Sequence, residues 1–240
     1  MDEPKQQFEA VAANVAQFLG RVGTGDVRFD TPPVGKSTVF CMDDRMEIGK
    51  GRTARIAGSG ILYQEDIGRL VRIANLANVG EITWHRDCGA ARLWLEMKGE
   101  KNSTLERVDE AAREFAERFA RKLGVPCREA GIIGRPGLHP ALTIYVDFAG
   151  GIEPSRDERM PEGFVISAAY LPEEFWLGEL GVALDIIAGH HGLGQYASPD
   201  RPIVVTGILQ NAATANKFES ILAKATRDRK NTRVVTLPHA

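Results

Sequence analysis

Two short apolar runs, each ending on a metal-binding type of residue and separated by one amphipathic segment, constrain this chain more than any other feature. The first is Thr38-Val39-Phe40-Cys41, inside a strand predicted over Ser37 to Met42. The second is Glu81-Ile82-Thr83-Trp84-His85. Between them, Glu65 to Asn78 places Ile67, Leu70, Val71, Ile73, Ala74, Leu76 and Ala77 at helical spacing, with Gly80 as a stop. Strand, helix and strand form a βαβ unit, whose crossover is expected to be right-handed. Parallel strands deliver their carboxyl ends to one edge, so Cys41 is expected close to His85 and Cys88 despite the gap in sequence.

The rest of the chain repeats the alternation. Gln6 to Arg21 reads as a helix that must cover either its own sheet or a partner subunit. Gly23 to Lys36 reads as a loop, and Ala54 to Ile61 as a short strand with a glycine-rich turn. A helix starts at Cys88 and runs to Met97, and the longest helix spans Ser103 to Leu123, ahead of Gly124. Strands are predicted at Leu142–Phe148, Phe164–Tyr170, Ile203–Gly207 and Arg233–Leu237, with helices at Glu173–Ala188 and Asn211–Ala225. The expected fold class is α/β, a mostly parallel sheet flanked by helices. The sequence shows no internal repeat and no low-complexity linker, so one domain is expected over residues 1–240, with a motif region at 36–97 and an α/β extension at about 155–240.

Composition excludes several classes. A formal charge of -2 and the lack of a basic stripe argue against a nucleic-acid partner. No apolar run approaches the ~18 residues that span a bilayer, and no signal peptide is visible at Met1-Asp2-Glu3-Pro4-Lys5, so a cytoplasmic location is expected. Three cysteines are an odd count for a disulfide framework. Cys127 has no partner at ligand spacing and is expected in the core.

Two thiols and an imidazole suit Zn2+, and three protein ligands would leave one coordination position open. Asp43 and Arg45 follow Cys41 closely enough to act on whatever fills that position. His85 and Cys88 lie three apart across a strand-to-helix turn, where the helix N-terminus favours a thiolate. The adjacent pair His190 and His191 points in different directions and reads as a helix stop between glycines rather than a second metal site.

Cys41-x-Asp43-x-Arg45 followed by His85-x-x-Cys88-Gly89-Ala90 resembles the β-class carbonic anhydrase family. The segment Arg55-Ile56-Ala57-Gly58-Ser59-Gly60 looks like a diverged form of a segment of that family, and the resemblance covers roughly residues 36 to 97. It implies Zn2+ on Cys41, His85 and Cys88, a metal-activated water, and reversible hydration of CO2 to bicarbonate. Asp43 would orient the hydroxide and Arg45 would hold Asp43. In some members the aspartate swings onto the metal and closes the site, and the residues here serve either state. The resemblance also implies a homodimer or higher oligomer. His139, His190, His191 or buffer are the candidate carriers for the released proton. Two other functions fit the same motif: hydrolysis of carbonyl sulfide or carbon disulfide, and a non-catalytic zinc-binding regulatory protein with the site closed by Asp43.

Overall fold

The computed structural model describes residues 3–27, 29, 33–133, 139–154, 159–189 and 192–238. The chain forms two compact units: residues 33–137, and residues 1–32 together with 138–240. Each unit has its own parallel four-stranded sheet flanked by helices, which is the expected α/β class.

In the first unit, strands β1 (Ser37–Phe40), β2 (Arg52–Arg55), β3 (Val79–Trp84) and β4 (Cys127–Glu129) lie in the order β2-β1-β3-β4. Phe40 pairs with Arg55 on one side of β1, and Val39 pairs with Ile82 on the other. Helix α2 (Ile67–Leu76) joins β2 to β3, so its crossover passes β1. Helices α3 (Gly89–Met97) and α4 (Leu105–Leu123) join β3 to β4. The chain leaves β1 in one direction and later returns on its other side. The switch point of the sheet therefore lies between the carboxyl ends of β1 and β3, where α/β folds gather ligands.

Helix α4 shows why the sequence folds this way. Thr104 caps it by accepting the Arg107 N–H at 3.3 Å, and Gly124 ends it in the left-handed conformation at φ +67°. Val108, Ala112, Phe115 and Phe119 form one apolar face, and Ala111, Ala116 and Ala120 widen it with small side chains that permit close packing. Strand β4 was not visible in the sequence: three residues after Pro126 are too few for a period. Cys127 sits there at the sheet edge and is half-buried, which corrects its expected core position.

The second unit repeats the strand order. Strands β5 (Thr143–Asp147), β6 (Gly163–Ile166), β7 (Ile203–Leu209) and β8 (Thr232–Pro238) run β6-β5-β7-β8, again all parallel. Every residue of β5 and β7 is buried, as expected for central strands covered on both faces. Helix α1 (Glu3–Thr24) belongs to this unit and covers its own sheet, with Phe18 edge-on to Tyr145 of β5 at 6.3 Å. Helices α5 (Glu173–Ala188) and α6 (Ala215–Thr226) flank the sheet. The expected strand over Phe164–Tyr170 is shorter, because residues 167–170 turn away and the Ala169 N–H donates to Asp147 O. The helix expected from Asn211 opens as a tight turn at Ala212–Thr214 before α6 begins.

At the end of β5, one residue before the position that corresponds in topology to Cys41, stands Asp147. Its carboxylate accepts the backbone N–H groups of residues 149 to 152 at 2.7–3.0 Å. The neighbouring Phe148 stacks on Phe218 at 4.0 Å and meets Trp176 edge-on at 5.3 Å. Rings of the unit itself, Phe148, Trp176 and Phe218, thus pack beside this strand end.

Candidate metal centre

The ligand-type atoms of Cys41, His85 and Cys88 lie within 4.8 Å of one another, and all three residues are buried. Each position follows from local structure. Cys41 is the first residue after β1, and His85 is the first after β3. Cys88 is the N-cap of α3, where its extended backbone aims the side chain back toward the sheet edge.

The segment after β2 supplies the floor. Gly58, Ser59 and Gly60 take φ of +51°, +56° and +107°. Gly58 needs to be glycine: a Cβ there would lie 2.6 Å from Ile61 Cγ2 and 3.4 Å from Cys88 Sγ. Its N–H donates to Cys41 Sγ at 3.1 Å. Ser59 tolerates its left-handed conformation because its hydroxyl donates to Thr83 O at 2.6 Å, and Thr83 in turn donates to Val39 O at 2.7 Å. These bonds tie the turn to both ligand-bearing strands.

Asp43 and Arg45 form a buried pair beside the trio. Arg45 Nε donates to Asp43 Oδ1 at 3.0 Å and Nη2 to Oδ2 at 2.9 Å, a two-pronged contact that fixes the carboxylate plane. The Arg45 backbone N–H adds a third bond to Oδ1 at 2.9 Å. Asp43 Oδ2 stands 3.9 Å from His85 Nε2, so the carboxylate borders the donor trio while remaining on Arg45. Charge and hydrogen bonding from Asp43 outweigh burial and raise the Arg45 guanidinium above its usual range, so it stays charged.

The donor set fits a soft-to-borderline cation. His85 Nδ1 lies 2.8 Å from the Arg86 carbonyl, an acceptor only, so Nδ1 carries an N–H and Nε2 is the nitrogen that would serve a metal once its own proton leaves. Nε2 is buried and has no hydrogen-bond partner among the described residues. Without an ion, the trio polarises itself. Burial alone would push the Cys41 thiol up, but a hydrogen bond from Cys88 and the charge of His85 hold it well below the usual thiol range. Donating that bond, together with burial, pushes Cys88 well above the thiol range. Burial opposes protonation of His85, yet the negative charges of Cys41 and Asp43 lift it to about 9. A bound cation would take the place of those protons.

The structure brings together all five residues singled out in the sequence: Cys41, Asp43, Arg45, His85 and Cys88. His139 lies in the other unit, buried with its ring 5.4 Å from that of Phe164. His190 and His191 lie outside the described residues. Sequence reasoning missed Arg55 and Asp87. Arg55, only 2% exposed, donates from Nη2 to the Asp43 carbonyl at 2.7 Å. Asp87, at φ +52°, faces Arg45 from the other side. Their signal was position: Asp87 lies between His85 and Cys88, and Arg55 opens the segment Arg55–Gly60.

Comparison of the chain with protein-family models, with curated proteins and with solved structures yields no match. Among the described residues, no helix is long and apolar enough to cross a membrane.

Proposed function

We propose that the chain is a zinc-dependent carbonic anhydrase of the β-class type, catalysing the reversible hydration of CO2 to bicarbonate and a proton. The observation that carries this reading is the buried Cys41–His85–Cys88 trio with the Asp43–Arg45 pair engaged at its border. Two thiolates and one imidazole are a donor set suited to Zn2+, and three ligands rather than four suit a catalytic site. When bound there, Zn2+ would supply Lewis acidity, lowering the pKa of water to about 7.

The chain's own residues do the rest. Cys41, His85 and Cys88 would hold the ion. The Gly58 N–H bond to Cys41 Sγ and the Nδ1 contact of His85 with the Arg86 carbonyl fix their orientation. Arg45 holds both oxygens of Asp43 in one plane. Asp43 Oδ2 accepts the proton of the attacking water in a hydrogen bond, which leaves a lone pair to face the carbon of CO2. CO2 is apolar, and the surroundings of Cys88 are apolar too: Ile61 is fully buried and Ala90 is 3% exposed. Attack forms one C–O bond, opens one C=O to the bicarbonate oxyanion, and releases one proton to buffer.

The non-catalytic reading, with Asp43 closing the site, is less well supported, because the carboxylate engages Arg45 through both oxygens. The test is stopped-flow CO2 hydration on zinc-replete protein at mildly alkaline pH. Rapid turnover that Asp43→Ala reduces supports the reading. Full zinc occupancy without turnover contradicts it and moves the assignment to a sulfur analogue of CO2 or to a regulatory protein.

A further inference from the structure

If Asp43 works only while Arg45 holds it, whatever holds Arg45 controls the site. Asp43 occupies one side of the guanidinium. On the other side, Asp87 Oδ2 stands 3.4 Å from Nη1, and the Asp87 carbonyl accepts from Nη2 at 3.4 Å. Asp87 thus meets Arg45 through both side chain and backbone, and it immediately precedes the ligand Cys88. It does so from a left-handed backbone, φ +52°, which a residue with a Cβ adopts only at a cost.

A contact with α4 holds that backbone from outside the turn. The Asp87 N–H donates to Oδ1 of Asp109, on α4, at 2.7 Å. The Asp87 carboxylate also faces Arg92 of α3, whose Nη2 is 3.5 Å from Oδ1. An aspartate near the start of a helix is usually explained by the helix dipole. At the fifth position of α4 that explanation is weak, since the dipole effect fades within the first turn and aspartate is a poor helix former.

We infer that Asp109 is a positioning residue of the metal centre. It fixes Asp87 in its left-handed turn, Asp87 holds Arg45 on Asp43, and Asp43 is thereby kept off the metal so that one position stays clear for an exogenous ligand. This rests on the metal-centre reading proposed above and adds a residue that no motif marks.

The test uses the full chain loaded with Co2+ in place of zinc, titrated with azide and followed by the visible absorption of the cobalt. The parent binds azide at the clear position. Asp109→Ala takes up cobalt fully but binds azide roughly tenfold more weakly, the equilibrium equivalent of one charge-assisted hydrogen bond, because Asp43 competes for the metal. Asp109→Asn keeps a side-chain oxygen for the same N–H and restores the parent affinity. That rescue assigns the effect to the hydrogen bond from the Asp87 N–H rather than to the charge of Asp109.

Equal azide affinity in parent and Asp109→Ala overturns the inference and leaves the proposed function standing. A parent that takes up no cobalt overturns both. The expected azide pattern in a protein without CO2 hydration supports the inference and overturns only the reaction. A second measurement needs no variant: the Asp87 amide of the parent should exchange slowly with solvent, and exchange at the rate of an open chain overturns the inference.

Discussion

Replacing Gly58 with alanine tests the geometry of the candidate metal centre with a single methyl group. At φ +51° an alanine carries a left-handed penalty of about 1–2 kcal/mol. The new Cβ would also stand 2.6 Å from Ile61 Cγ2, 3.1 Å from Ala90 Cβ and 3.4 Å from Cys88 Sγ. Ile61 is fully buried and Ala90 nearly so, and overpacking such a site costs about 1–3 kcal/mol. The two together amount to about 2–5 kcal/mol. Gly124 provides the control in the same unit: it has φ +67° with nothing within 4 Å, so Gly124→Ala carries only the conformational penalty. Urea denaturation of the metal-depleted proteins should therefore place Gly58→Ala below Gly124→Ala by about 1–3 kcal/mol. The substitution also displaces the N–H that donates to Cys41 Sγ, so zinc affinity should fall by about 10–100-fold in Gly58→Ala and stay unchanged in Gly124→Ala. Losses that agree within about 0.5 kcal/mol, with zinc affinity intact in both, would refute the tight packing of Gly58 against Ile61, Ala90 and Cys88.

Asp43→Ala should retain stoichiometric zinc while turnover falls by about 10²–10³, the usual cost of one oriented polar group, read by metal analysis beside stopped-flow hydration. Zinc uptake at pH 7 should release protons, one from His85 and one from Cys88, because both groups are held protonated in the metal-free trio; a pH indicator in weak buffer reads the stoichiometry. Asp147→Ala leaves the buried N–H groups of residues 150–152 without their acceptor, and burial raises the Asp147 carboxyl only to about 6, so the native group is ionised at neutral pH. The loss should reach about 3 kcal/mol or more, seen as faster hydrogen exchange of the β5 and β7 amides.

The candidate metal centre was largely legible because its chemistry is local. Cys41 and His85 close strands that can be read from four or five residues each, and Cys88 caps a helix whose spacing from His85 is fixed by one turn. Helix α1 was legible as a helix, but not its packing: which sheet Phe18 covers depends on contacts more than a hundred residues away in sequence. Asp109 carried no signal at all, since its partner is a backbone N–H and any aspartate near a helix start looks alike. The repeated strand order of the two units was hidden for a different reason. It resides in the backbone, while the corresponding positions carry unlike chemistry, Cys41 in one and Asp147 with Phe148 in the other.

Zinc X-ray absorption on the metal-loaded full chain tests most directly the claim that Cys41, His85 and Cys88 form an open centre. Two sulfur neighbours are expected at about 2.3 Å, with two nitrogen or oxygen neighbours at about 2.0–2.2 Å. Asp43→Ala should leave this shell unchanged, whereas Cys88→Ser should lose most of the zinc. A shell that loses a neighbour in Asp43→Ala, or a Cys88→Ser protein that still holds stoichiometric zinc, would contradict the open three-ligand centre.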